Sequence, residues 1–320
     1  MDSLVIACAS DSGYALPLAV MLRSLIANLG PRSQVEVYCV DDGISSADKA
    51  KVLASVTDRL TLHWLEPSRS ALSGLPTWGR MPRTTYQKLT LGEWLPEHAE
   101  KVIWLDCDLL LLDDIMPLWD ADLGKWHVLA VPDQRVPLLS SRFGVAAYRE
   151  LGLAAEAKYF NAGVLLIDLA RWRRDDVAGR AINYLNTYRD QVFFWDQEAL
   201  NAVLAGKWGE LDPAWNRNPT IDHLIRSRRP SDADSTAGRR SGEIRIAHFS
   251  GNLKPWNCAG SSPHHDLYFR YLDQTAWSGW RPARTWKGVW SQAYESSRLR
   301  RFVYPAERWA TQLVRALTRN

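Results

Sequence analysis

Lys101-Val102-Ile103-Trp104-Leu105-Asp106-Cys107-Asp108-Leu109-Leu110-Leu111-Leu112 is the stretch around which the chain is organised. A mostly apolar run leads into two aspartates one residue apart, and four leucines follow. Such a run, bounded by charge, reads as a buried strand of a parallel sheet. Carboxylates are costly there unless something pairs them. In open α/β sheets ligands gather beyond the carboxyl ends of the strands, which is where Asp106 and Asp108 fall. On an extended backbone their side chains point the same way, because the strand period is two. Two hard oxygen ligands facing one point suit Mg²⁺ or Mn²⁺ carrying a phosphate. The spacing by itself fits equally a strand end followed by an Asp-rich turn.

Outward from this stretch, strand and helix signals alternate. Residues 3–10 read as a buried first strand, 17–29 as a helix with Pro17 near its start, and 35–40 as a second strand. Ser45 or Ser46 caps a helix to about residue 55, and 60–65 forms a third strand. This β-α-β-α-β series implies a parallel sheet with right-handed crossovers. Residues 84–95 read as a helix leading into the central strand. Short strands are expected at 128–131 and 164–167, helices at 175–189 and 196–204, and an apolar strand from 244 to 249. The segments 74–82 and 226–243 read as loops. Neither G-x-G-x-x-G nor G-x-x-x-x-G-K-[ST] occurs, so neither an NAD fingerprint nor a Walker loop is supported.

The 320 residues are 46% hydrophobic, enough for one large α/β domain with or without an appendage. Cys8, Cys39, Cys107 and Cys258 are scattered, which fits a reduced protein better than a disulfide framework or a zinc site. Met1-Asp2-Ser3 runs straight into the first strand without a basic leader, and no apolar run approaches the roughly 18 residues of a membrane span. A cytoplasmic protein is expected, with no nucleic-acid partner. The net charge of +3 is uneven: residues 281–320 hold nine of the 39 Lys/Arg and two of the 36 Asp/Glu. Residues 1–280 read as one α/β domain and 281–320 as a helical basic tail. In that tail Trp309, Leu313 and Leu317 lie four apart, on one helical face. Basic and aromatic residues on an amphipathic helix suit the anionic inner face of a cell membrane, or a helix packed on the domain. Tryptophan faces also suit sugar rings, and equally ordinary cores.

Several further residues carry chemistry. Asp11 and Tyr14 follow the first strand, where a carboxylate and a ring could hold a base and its ribose, or simply make a βα turn. Lys88 lies before the central strand. Asn161 and Gly163 stand just before a buried strand, where glycine permits close backbone approach and Asn161 could bond a ligand hydroxyl. Asp196 either caps a helix or, with Gln197, faces a ligand. His248 ends a strand, Gly251 follows, then Lys254, Pro255 and Trp256. Imidazole is an acceptable third ligand for Mn²⁺ beside two carboxylates. A glycine lets backbone approach an anion, and a lysine offers phosphate a point charge.

Taken in order, the segments around Asp11 and Tyr14, 40–45, 84–89, the two-aspartate strand, 117–123, 160–167, 172–174, Asp196-Gln197 and 248–256 resemble family 8 glycosyltransferases. The resemblance is strongest to bacterial lipooligosaccharide and lipopolysaccharide galactosyl- and glucosyltransferases, and spans roughly residues 4–260. It implies a Rossmann-like, GT-A-type fold: a mostly parallel sheet flanked by helices. It implies a retaining, Mn²⁺-dependent (or Mg²⁺-dependent) transfer of galactose or glucose from a UDP-hexose to a saccharide or glycolipid acceptor. By the same resemblance Asp106, Asp108 and His248 match metal ligands, and Asp11 and Tyr14 match uracil and ribose contacts. Gly251 and Lys254 match diphosphate contacts, while Asp133, Asn161, Asp196 and Gln197 surround the donor sugar. Lys88 stands where relatives usually carry arginine, and Gly13 replaces an asparagine. Segments 74–83 and 226–243 match poorly, so no acceptor residue follows. Two other functions fit parts of the pattern: a catalytically silent glycan- or UDP-sugar-binding protein, and a metal-dependent sugar nucleotidyltransferase. The latter class uses a Gly- and Arg-rich first loop that residues 11–14 do not resemble.

Overall fold

β1 (Leu4–Asp11), β2 (Val35–Asp42) and β3 (Leu60–Leu65) are joined by α1 (Ala15–Asn28) and α2 (Ser46–Ala54). All residues of this computed structural model are described except 1–3, 32–33, 68–71, 78–81, 220–243, 252–253, 258–263 and 284–320. The expected loop at 226–243 and the tail beyond residue 283 therefore lie outside the described residues. β1 and β2 pair in parallel, as do β2 and β3. Ser45 caps α2 by accepting from the Asp48 amide at 3.1 Å, satisfying one of the orphan donors of a helix start.

β4 (Lys101–Leu105) joins the far side of β1, also in parallel. The seven-stranded sheet continues through β7 (Phe160–Asp168), β6 (Val128–Pro132) and β8 (Trp208–Glu210), in the order β3-β2-β1-β4-β7-β6-β8. This is the expected mostly parallel sheet flanked by helices. β7 runs antiparallel to both its neighbours, β4 and β6. The central apolar run is not one strand: it stops at Leu105, turns through Asp106-Cys107-Asp108, and resumes as β5 (Leu109–Leu111). β5 pairs with β9 (Ile246–His248) in a separate two-stranded sheet. The two aspartates thus sit in a turn rather than on an extended strand, because carboxylates at the strand end find partners outside the ladder.

The sheet buries both faces, and the pleat sorts its side chains. Val102 and Trp104 of β4 join one core with Leu165, Ile167 and Trp172, while Ile103 and Leu105 join the other with α1. The first face is covered by α5 (Leu169–Arg174), α6 (Val177–Thr187) and α7 (Trp195–Val203). Residues 84–95, expected as one α-helix, form a 3-10 helix (Arg83–Thr90) followed by a single α-turn, α3 (Leu91–Trp94). The path after α3 is set by Arg173, which donates to the carbonyls of Gly92, Leu95, Pro96, Glu97 and Ala99. A short α4 (Met116–Trp119) follows β5, and α8 (His265–Leu272) covers the small sheet through Tyr268 and Leu272. No helix among the described residues is long and apolar enough to cross a membrane.

Candidate active site

Asp106, Asp108 and His248 meet at the carboxyl end of β4. One ligand atom from each lies within 4.8 Å of the others. His248 arrives at the end of β9, whose partner β5 begins directly after Asp108. It fits because residue 163 is glycine: a Cβ there would overlap the imidazole. The close approach expected at Gly163 is therefore made by a side chain of the site.

The donor set suits a divalent cation. His248 Nε2 faces Asp108 Oδ1 at 3.2 Å, and its Nδ1 is already engaged with Asn216 Oδ1 at 2.8 Å. Asp106 Oδ1 accepts from Trp104 Nε1 at 2.8 Å and from Lys88 at 3.1 Å, which leaves Oδ2 for a cation. Two carboxylates and one imidazole nitrogen converging on one point form a hard, mixed O/N site suited to Mn²⁺ or Mg²⁺.

Two buried lysines flank the cluster. Lys88 engages all three of its N–H donors: Asp106 Oδ1, Asp196 Oδ2 at 2.8 Å and the Ala162 carbonyl at 3.0 Å. Burial pulls its ammonium down, but the Asp106 and Asp196 carboxylates outweigh this and hold it above its ordinary value. Lys254 donates to Asp108 Oδ2 and to the Phe249 carbonyl. Burial disfavours both charges of that pair. Lys254 and His248 nonetheless hold the Asp108 carboxyl well below its ordinary value, and Asp108 holds Lys254 up. The Lys254 ammonium also stands 5.7 Å from the Tyr14 ring centroid and 5.4 Å from that of Trp256.

Asp11 ends β1, and its Oδ1 accepts from the Tyr14 amide at 3.1 Å, capping the 3-10 turn Ser12–Tyr14. The βα-turn role is thus real, and one carboxylate oxygen remains for a ligand. Burial raises the Asp11 carboxyl, and raises the Tyr14 phenol to about 12. Tyr14 stands edge-on to Trp256 at 5.8 Å. Gly251 has φ +100 and packs beside the Arg135 guanidinium, a backbone that favours glycine.

On the other side, Asp133, Asn161 and Gln197 form one network. Asp133 Oδ1 accepts from the Arg135 and Val136 amides at 2.8 and 2.9 Å. Its Oδ2 accepts from Asn161 Nδ2 at 2.9 Å and Gln197 Nε2 at 3.1 Å. Gln197 Oε1 accepts from the Ala162 amide at 3.0 Å. Asp196 does not cap α7. The N-cap is Phe194, and Asp196 instead accepts from Thr85 Oγ1 at 2.8 Å and pairs with Lys88. Asn161 and Gly163 lie within β7, not before it. Since β7 runs antiparallel, its amino-terminal end falls beside the carboxyl ends of β4 and β6, which delivers Asn161 to the same rim. A groove there is lined by Asp133, Arg135, Asn161, Asn216, His248 and Ser250.

The twelve candidate site residues, and Gly163 with them, therefore collect on one rim of the sheet, around three clusters. Asn216, Thr85 and Trp104 were not anticipated. Each acts through a hydrogen bond to a chosen residue, and the alternating pair Asn216 and Asn218 after a turn was the one local hint for the first.

The chain matches the family model "Glycosyl transferase family 8" over residues 5–260. It is 32% identical to General stress protein A of Bacillus subtilis over 86% of this chain and 94% of that protein. It is 25% identical to the lipopolysaccharide glucosyltransferase WaaO of Escherichia coli, over 89% and 80% of the two chains. Among solved structures, the galactosyltransferase LgtC in complex with donor and acceptor sugar analogues superposes with a TM-score of 0.72 at 29% identity. That match covers 85% of this chain and 96% of the other.

Proposed function

Because this chain belongs to glycosyl transferase family 8, we propose that it moves galactose or glucose from a UDP-hexose to a saccharide or glycolipid acceptor, with retention at the anomeric carbon. The observation that carries this reading is the Asp106–Asp108–His248 cluster at the carboxyl end of the parallel β-α-β half. These three residues would hold Mn²⁺, or Mg²⁺, which when bound supplies a Lewis acid against the charge that builds on the leaving diphosphate. Tyr14 and Asp11 hold the base and ribose. Gly251 and Lys254 meet the diphosphate, Lys254 from a pocket that keeps it charged.

The sugar lies against Asp133, Asn161, Asp196 and Gln197. A covalent route to retention needs a nucleophile free to attack. Asp133 is held by four N–H donors and Asp196 by Lys88 and Thr85, while Gln197 is a neutral amide. These engagements favour attack from the leaving-group face, with a phosphate oxygen taking the acceptor's proton and Gln197 steadying the cationic sugar.

The test is UDP release from a panel of UDP-sugars, with Mn²⁺ and with EDTA, followed by NMR of the product's anomeric proton. Release that EDTA leaves unchanged sinks the metal reading, and a β-linked product from an α-linked donor sinks retention. The basic segment 281–320 adheres, on this reading, to anionic lipid at the cytoplasmic membrane face, where a glycolipid acceptor resides. Its removal should abolish binding to anionic vesicles and spare donor hydrolysis.

A further inference from the structure

The amide network around Asn161 has a direction that hydrogen bonding fixes. The Gly163 N–H can only donate, and it meets Asn161 Oδ1 at 3.0 Å. The other end of that amide, Nδ2, points to Asp133, whose carboxylate already faces backbone donors and can only accept. Asn161 therefore presents oxygen, not nitrogen, to its neighbour Asn216. Asn216 must answer with Nδ2, which lies 2.9 Å away. Its own oxygen then faces His248 Nδ1 at 2.8 Å. Two acceptors cannot face each other at that distance without a proton, so Nδ1 carries it. Nε2 is left as the ring atom directed at Asp108. Asn216 and His248 are both buried, so water does not compete for these bonds.

We propose that Asn216 is a positioning residue that keeps a proton on His248 Nδ1, so that Nε2 is the ring atom offered to a cation at the Asp106–Asp108 cluster. It relays this constraint from Asp133 and Asn161, which border the sugar side. A partner on the second ring nitrogen commonly sets the tautomer of a metal-binding histidine. The part of the proposal that concerns metal rests on the functional reading above; the tautomer itself does not.

The deciding measurement is a long-range ¹H–¹⁵N correlation spectrum of metal-free, ¹⁵N-histidine-labelled protein at about pH 9, above the usual histidine range. The His248 ring is identified by its loss in His248→Gln. The wild type should show a protonated Nδ1. Asn216→Leu, which removes both bonds, should weaken Mn²⁺ binding roughly 10- to 100-fold, read by electron paramagnetic resonance of free Mn²⁺. Asn216→Asp loses the donor to Asn161 Oδ1 but still accepts from Nδ1–H, so it should keep the same tautomer and bind Mn²⁺ more tightly than Asn216→Leu. An Nε2–H tautomer in the wild type, or undiminished Mn²⁺ affinity in folded Asn216→Leu, overturns the proposal. Should Asn216→Leu not fold, the wild-type spectrum and the Asp variant decide it. Failure of the wild type to bind Mn²⁺ would sink the metal reading instead, and the spectrum would still decide the tautomer.

Discussion

The rim that carries the site is held in two ways. Around the two-aspartate turn the fixing groups are ions: Lys88 between Asp106 and Asp196, and Lys254 on Asp108, nearly all of them buried. Around Asn161 the fixing groups are amides, with Asn216, Gln197 and Asn218 passing hydrogen bonds between backbone and side chain. Ion pairs in a low-dielectric setting hold charge where it is needed but suffer heavily when one partner is lost. Amides cost less to lose but impose direction, since each has one accepting and one donating end. The ionic region suits a diphosphate and a cation; the amide region suits a neutral sugar's hydroxyls.

The largest expected effect comes from unpairing the ions. Lys254→Met or Asp108→Ala leaves one buried charge without its partner, a loss of about 3–5 kcal/mol of stability, to be read from urea unfolding. Turnover should vanish in both. Combining Lys254→Met with Asp108→Asn should recover much of the stability and none of the turnover. Equal stability of the single and double variants would mean that the pair does not organise this region.

The same pair sets a pH window. Asp108 is held below its ordinary 3.8 despite its burial. Its contribution is therefore fully present above that value and is lost as pH falls through the lower folded one. Lys254 is held above its ordinary 10.5, again against burial, so its contribution is present below 10.5 and is lost as pH rises through the folded value. The urea midpoint of the wild type should fall at both extremes, and the alkaline fall should shrink in Lys254→Met. An alkaline limb identical in the two proteins would assign it to other groups.

Losses in the amide region should be smaller and should fall on rate. Gln197→Ala is expected to slow transfer roughly ten- to a hundredfold, about 1.4–2.8 kcal/mol of barrier, with unfolding shifted by no more than about 1 kcal/mol. A stability loss as large as that of Lys254→Met would erase the contrast between the two regions. The smallest effect is reserved for a residue in neither: Ser45→Ala removes the cap of α2 and should cost about 1 kcal/mol in unfolding, leaving turnover at the wild-type level.

Much of this was readable in advance because it is local. Apolar runs of strand length, Ser45 ahead of α2, and two aspartates at a strand end all report themselves within a few residues. Other features misled for the same reason. Residues 84–95 carry helical spacing, yet Lys88 and Thr85 are drawn to Asp106 and Asp196 and the segment tightens to a 3-10 helix. Asp196 sits where a cap belongs, but it pairs with Lys88 while Phe194 takes the cap position.

The amino-acid sequence alone determined the α/β class, the place of the two aspartates at the end of the central run, and the polar residues that gather at the rim. Tertiary structure alone decided how they meet. It runs β7 against its neighbours so that Asn161 reaches the rim, brings Lys254 back to Asp108 across 146 positions, and sets Asn216 behind His248. The physical reason is that hydrophobic period acts between near neighbours in the chain. Strand direction and the donor–acceptor sense of a hydrogen bond are settled only when distant segments pack.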